Sequence, residues 1–282
     1  MAEHAEEHAM NETTLDRSFP VPGPISLQVR IGHGSVTVEP ADDLTEATVH
    51  IDADKKAAEL LAGTVVEMRG SMLVVNGPRQ GGIFDFSMFG GFRSGQALDV
   101  HVRVPTGTPV KIATFTAPIR ILGRVGDADL AFGSAEAGVR EVDGDLRLRF
   151  GSGNAKVARV TGSVELRSGS GNAQLGEVDG DLNCGCGSGD LRVRVAHGAV
   201  RSRCGSGSAT LGQVHGDVDV VSGSGRLEVG FPIGVTAKLD VHTGSGQVRS
   251  DLPIEDEPKS ATGSITVRAR TGSGDVRLFR AA

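Results

Sequence analysis

His197 follows Asp179, and His215 follows His197, at one and the same 18-residue interval. Two neutral imidazoles and a carboxylate form a reasonable zinc ligand set if the fold stacks them within a few ångströms. Solvated turn residues are the favoured alternative, so Asp179, His197 and His215 are a weak candidate metal set and no metal is assigned. Cys186 and Cys204 share the 18-residue spacing, with Cys184 just before the first on the same stretch. Cys184-Gly185-Cys186 lacks the second pair expected of a zinc knuckle. The spacing would permit a Cys186–Cys204 disulfide. Buried free thiols are preferred, because free cysteine packs as a small hydrophobe and a cytoplasmic chain keeps its thiols reduced.

Asp143-Gly144-Asp145 and Asp179-Gly180-Asp181 are the acid pairs that a polysaccharide-cleaving enzyme could use. They fit tight turns equally well, and acids without a walled cleft carry little catalytic weight. The repeated Gly-Ser-Gly matches no phosphate loop, dinucleotide fingerprint or nucleophile elbow. It also departs from the calcium nonapeptide, since Asn154, Asn172 and Asp190 follow the second glycine directly. The expectation is therefore no catalytic residue and no cofactor.

What positions these residues is a period. Gly-Ser-Gly begins at Gly151, Gly169, Gly187, Gly205 and Gly223, always at the 18-residue interval, and recurs at Gly244 and Gly272. Folding the chain on that period lines up Val157, Leu175 and Val193 in one column, and Leu146, Val164 and Leu182 in another. Apolar positions alternate by two, the strand period, and their parity switches twice per repeat. Each switch marks a corner. A chain that turns at fixed intervals and stacks like on like is a β-solenoid. The glycines are expected at corners for their freedom at positive φ, with the serines bonding neighbouring backbone groups.

Composition narrows the rest. Glycine supplies 41 of 282 residues, Trp and Tyr are absent, and the net charge is −6. That balance argues against a nucleic-acid binder, which needs a concentrated basic surface. Recurrent arginines (Arg147, Arg149, Arg167, Arg201, Arg203) are interleaved with acids and suggest a mixed solvated face. No long apolar run or basic leader occurs, so a cytoplasmic location is expected. Residues 1–18 should be a solvated acidic tail. Residues 19–104 should form irregular strands and a cap, with a short helix near Asp54–Gly63 and a Phe-rich loop at 81–95. The regular repeat should occupy 105–243, and residues 244–282 the closing coils. In the loop, Phe84, Phe86, Phe89 and Phe92 crowd into one short stretch. Such apolar density points to an end plug or a contact patch for a partner, another copy or a membrane surface.

The opening FPVPGPISLQVRIGHGSVTVEP, the Val104-Pro105-Thr106-Gly107 segment and the serial x-G-D-L-x-L/V-x-x-G-S-G units resemble the bacterial β-strand-repeat family labelled "putative adhesin", of unknown function. The resemblance covers about residue 19 to the C-terminus. It implies an all-β, right-handed parallel β-solenoid with 18-residue coils, related to β-repeat domains of envelope-stress sensing proteins. It brings no catalytic residues. The expected function is a non-enzymatic, adhesin-like interaction scaffold that presents side-chain ladders to a protein partner or to itself. A component or sensor of an envelope-stress pathway, or a β-helix carbohydrate-active enzyme, are the alternatives.

Overall fold

The computed structural model describes residues 13–54, 57–78, 97–252 and 264–281. Strand is the dominant structure among these residues, with one short helix, and the chain divides into two compact units, 1–136 and 137–282.

In the second unit the period becomes a parallel register. Strand β11 (Leu146–Val160) pairs through its first half with β12 (Val164–Ser168), which pairs in turn with β14 (Leu182–Cys186), β16 (Val200–Cys204) and β18 (Val218–Ser222). Its second half pairs with β13 (Asn172–Val178), followed by β15 (Leu191–Ala196), β17 (Ala209–Val214) and β19 (Leu227–Phe231). Each of these pairings spans the 18-residue interval, as in Val157↔Leu175 and Leu175↔Val193. Val157, Leu175 and Val193 stand in one buried file, at 2%, 3% and 3% exposure. The period-two alternation buries one side of each strand and leaves the other in solvent.

The last regular strands do not continue to their successors. Val218 pairs with Val267 of β22 (Ser264–Thr271), and Leu227 with Val276 of β23 (Val276–Arg280). Strands β20 (Thr236–Thr243) and β21 (Val248–Ser250) then pair with β22 and β23 from the far side. The C-terminal strands are thus inserted beneath the segment that precedes them.

The first unit repeats this device. Strand β2 (Ser26–Ile31) lies between β6 (Met72–Asn76) and β8 (Val110–Thr114). Strand β3 (Gly34–Ala41) lies between β7 (Leu98–Pro105) and β9 (Ile119–Val125). All four pairings are parallel, and β8 also pairs in parallel with the start of β10 (Ala128–Val142), Ala128 opposite Val110. Strand β4 (Glu46–Ala53) runs antiparallel to β7, and β5 (Val65–Arg69) antiparallel to β6. The expected helix is α1, Ala58–Ala62.

Two expectations change here. Strand β1 (Thr14–Pro20) pairs antiparallel with β4, and it begins inside the segment read as a solvated tail. Its side chains are mostly exposed, so backbone bonding holds it and hydropathy gives no sign of it. The corner glycines also serve a different end. Of the five evenly spaced Gly-Ser-Gly units, Gly153 alone has a left-handed φ, 104°. Those of the later four units approach the repeat before them: a Cβ on Gly171 would meet the Gly153 carbonyl oxygen at 2.5 Å, and one on Gly205 the Gly187 oxygen at 2.6 Å. Close stacking, not turn geometry, excludes side chains there. The serines join successive corners through their backbone, Ser170 N–H donating to Gly151 O at 2.8 Å and Ser206 N–H to Gly187 O at 2.9 Å.

Candidate functional site

The three residues of the candidate metal set occupy one corner because their backbones stack. Asp179, His197 and His215 donate their N–H groups to the carbonyls of Val160, Val178 and Ala196. The His197 and His215 rings stack at 4.9 Å. His197 Nε2 lies 3.8 Å from Asp179 Oδ1 and nearer, at 3.3 Å, to Glu177 Oε1. Potential ligand atoms of Glu177, Asp179 and His197 all lie within 4.8 Å of one another. His215 stacks on His197 and does not join that trio.

Both carboxylates already face cations. Arg159 reaches Glu177 at 3.2 Å and Asp179 at 2.7 Å, and Arg194 reaches Glu177 at 3.3 Å. The His197 hydrogen bond, opposed by desolvation and aided by Arg159 and Arg194, holds the Glu177 carboxyl below the ordinary glutamate value. The arrangement is an ion-pair network linking successive repeats, and each half-exposed pair contributes about 0–1 kcal/mol. Sequence reading missed Glu177. Its signal was opposite charge at one repeat position, Arg159 paired in register with Glu177.

The acidic corners have backbone partners. Asp145 Oδ1 accepts from Ser163 N–H at 2.7 Å, Asp181 Oδ1 from Ala199 N–H at 2.9 Å, and Asp217 Oδ1 from Thr266 N–H at 2.7 Å. At the opposite corner, Asn172 Oδ1 accepts from Asp190 N–H, and Asp190 Oδ1 from Ser208 N–H, each at 3.0 Å. A carboxylate or amide at these positions binds a backbone N–H of the repeat stacked on it. That is turn chemistry carried across repeats.

The cysteine expectation is corrected. Cys186 and Cys204 are joined by a disulfide, with Cα atoms 4.6 Å apart, and Cys184 alone is free and buried. Direct register pairing of the two residues places their side chains close enough to bond. Burial pushes the Cys184 thiol up to about 11, partly offset by a hydrogen bond with Ser202. At neutral pH it is a thiol and a weak nucleophile toward the neighbouring disulfide.

Arg147 and Arg167 both pair with Glu165, each at 2.9 Å, whereas Arg201 and Arg203 project from β16 in exposed positions. Phe84, Phe86, Phe89 and Phe92 lie outside the described residues. Among the described residues no helix is long and apolar enough to cross a membrane.

A family model described as Toastrack DUF4097 matches residues 25–282. No curated protein matches the chain. Among solved structures, a "putative adhesin" from Parabacteroides merdae is similar at 12% identity, with a TM-score of 0.53 over 96% of this chain and 98% of that one. A "Putative lipid binding protein" from Parabacteroides distasonis is similar at 15% identity, with a TM-score of 0.50 over 96% of this chain and 98% of that one. At such identities the likeness concerns the all-β fold.

Proposed function

The chain belongs to the Toastrack DUF4097 family, and we propose that it works as a non-enzymatic, adhesin-like scaffold. In this reading it is a right-handed parallel β-solenoid of 18-residue coils, and its outward columns form the binding surface for a protein partner or a second copy. One observation carries the proposal. Register pairing across β11, β12, β14, β16 and β18 sets Arg147, Glu165, Asn183, Arg201 and Asp219 in one outward file. Arg149, Arg167, Gly185, Arg203 and Val221 form the file beside it. Strands about 4.8 Å apart thereby present mixed charge on a ruled, rigid face. A partner would read that face by charge pattern, not by entering a pocket. The acids that an enzyme would need are engaged as corner acceptors, Asp145 with Ser163 and Asp181 with Ala199. The segment containing Phe84, Phe86, Phe89 and Phe92 is proposed as an additional contact on the same chain.

The test is capture from native cell extract, combined with light scattering of the purified protein. Arg201→Glu with Arg203→Glu should abolish the captured partner or the self-association while leaving the melting temperature within a few degrees. Phe86→Ser with Phe89→Ser should weaken the same complex. A chain that stays monomeric and loses nothing on charge reversal overturns the proposal. Glycan cleavage abolished by Asp181→Ala would replace it with the enzyme.

A further inference from the structure

One inward file of the second unit runs Leu148, Leu166, Cys184, Ser202 and Val220, aliphatic except where β14 and β16 cross it. The file beside it holds Cys186 and Cys204 at the same two strands. Cys184 and Ser202 are register partners, as are Cys186 and Cys204. Residues two apart on a strand face the same side. Four donor groups therefore stand at the corners of a rectangle on the inner face of two adjacent strands.

With the Cys186–Cys204 bond opened, these donors remain within reach of one metal ion. The three sulfurs lie within 4.8 Å of one another, and Ser202 Oγ is 3.6 Å from Cys204 Sγ. In a tetrahedron with zinc–sulfur bonds of about 2.3 Å, donors sit roughly 3.8 Å apart. Ser202 is fully buried, at 0% exposure, where a hydroxyl costs stability unless it is bonded, and the partners on hand are sulfurs. The fold supplies across two strands the second pair of donors that Cys184-Gly185-Cys186 lacks along one.

We propose that, once the Cys186–Cys204 disulfide is reduced, the protein binds a thiophilic dication of the zinc class through Cys184, Cys186 and Cys204, with the Ser202 hydroxyl as fourth donor. A dithiol reductant breaks the S–S bond, delivering two electrons and two protons and leaving as its own disulfide. The dication then replaces three thiol protons, which pass to solvent, and three sulfur–metal bonds form. Three thiolates and one dication carry a net charge of −1, so the ion removes most of the charge that bare thiolates would bring into the interior. Oxidation closes the site by tying two of its ligands together. The proposal is independent of the outward binding face.

The experiment uses the full chain, reduced anaerobically with a dithiol, freed of reductant, and titrated with zinc and with cobalt as a spectroscopic probe. One ion per reduced chain, with thiolate-to-cobalt charge-transfer absorption, is expected, and none per oxidised chain. Cys184→Val keeps the disulfide and restores the aliphatic file, so its oxidised form should melt like the wild type while its reduced form loses affinity about tenfold or more. Cys204→Ser should lose the ion as well. Reduced wild type that retains no metal, or reduced Cys184→Val that retains as much as wild type, overturns the site.

Discussion

Glycine at the corners is held in place by the neighbouring repeat. A Cβ on Gly189 would run into the Gly171 carbonyl oxygen, and one on Gly207 into that of Gly189, with backbone atoms that have nowhere to go. Gly185, on the outward side of β14, faces open space. Overpacking of this kind costs about 1–3 kcal/mol, whereas an uncrowded surface change stays within about 0.5 kcal/mol. Gly189→Ala should therefore lower stability in denaturant unfolding by about 2 kcal/mol, and Gly185→Ala should leave it unchanged or slightly raise it. Equal effects from the two substitutions would refute the stacking account. The glycine column itself was legible, because it recurs at a fixed interval. Its cause was not, since close approach between repeats involves a partner one full repeat away and leaves no local mark.

Among the elements, β1 carries, besides its backbone pairing, a clip that titrates. His50 on β4 bonds Asp16 of β1 through Nδ1 at 2.6 Å and Asp52 through Nε2 at 3.1 Å, with His101 of β7 as its register partner on the other side. The Asp16 hydrogen bond, opposed by desolvation and joined by the charges of Asp52 and Asp16, raises the His50 pKa above its ordinary 6.5. A raised value means that the protonated ring favours the paired state. The contribution is complete below pH 6.5 and is lost as pH rises through the elevated value. Since β1 is mostly exposed, the effect should be local. Amide protection factors in β1, corrected for intrinsic exchange, should fall as pH rises above 6.5 in the wild type and stay flat in His50→Gln. Flat wild-type protection would show that the clip holds nothing. The same strand explains a limit of sequence reading. TLDRSFP carries no apolar alternation, whereas ISLQVRI and ALDVHVRV do, and those became β2 and β7. Strands that bury a face announce themselves, and strands held by their backbone do not.

In each unit, two strands that are neighbours in sequence lie between segments distant from them in the chain. Strands β2 and β3 lie inside the first unit's outer strands, and β22 and β23 inside the second's. The repeat columns showed which residues stack within Leu146–Val229, where every step is one period. They carried the regular repeat on through residue 243 and so missed the long step from Val218 to Val267, because Leu239 matches the same column and the period cannot choose between them. Burial chooses: Val267, Ala269 and Val276 are at 0% exposure, while Leu239 and Val248 are at 40% and 47%. The richer apolar pair takes the covered place and leaves the poorer one outermost, which blunts fraying at the terminus. A chain ending at Leu252 should then lose far more than its last strands. It forfeits the burial of Ile265, Val267, Val276 and Leu278 and uncovers Val218, Val220, Leu227 and Val229. At about 1.5–3 kcal/mol for each fully buried aliphatic side chain, the loss is large and falls on the strands next to the cut, since each repeat is stabilised by its neighbours. Restacking β20 and β21 directly on β18 and β19 would return little beyond Leu239, Val241 and Val248. Melting should drop by about 10 °C or more, and hydrogen exchange should open β18 through β21 together while β11 to β13 stay protected. If the truncated chain instead melts within a few degrees of the full one, with β18 and β19 still protected, the inserted strands are an ornament of the threading and not what closes the second unit.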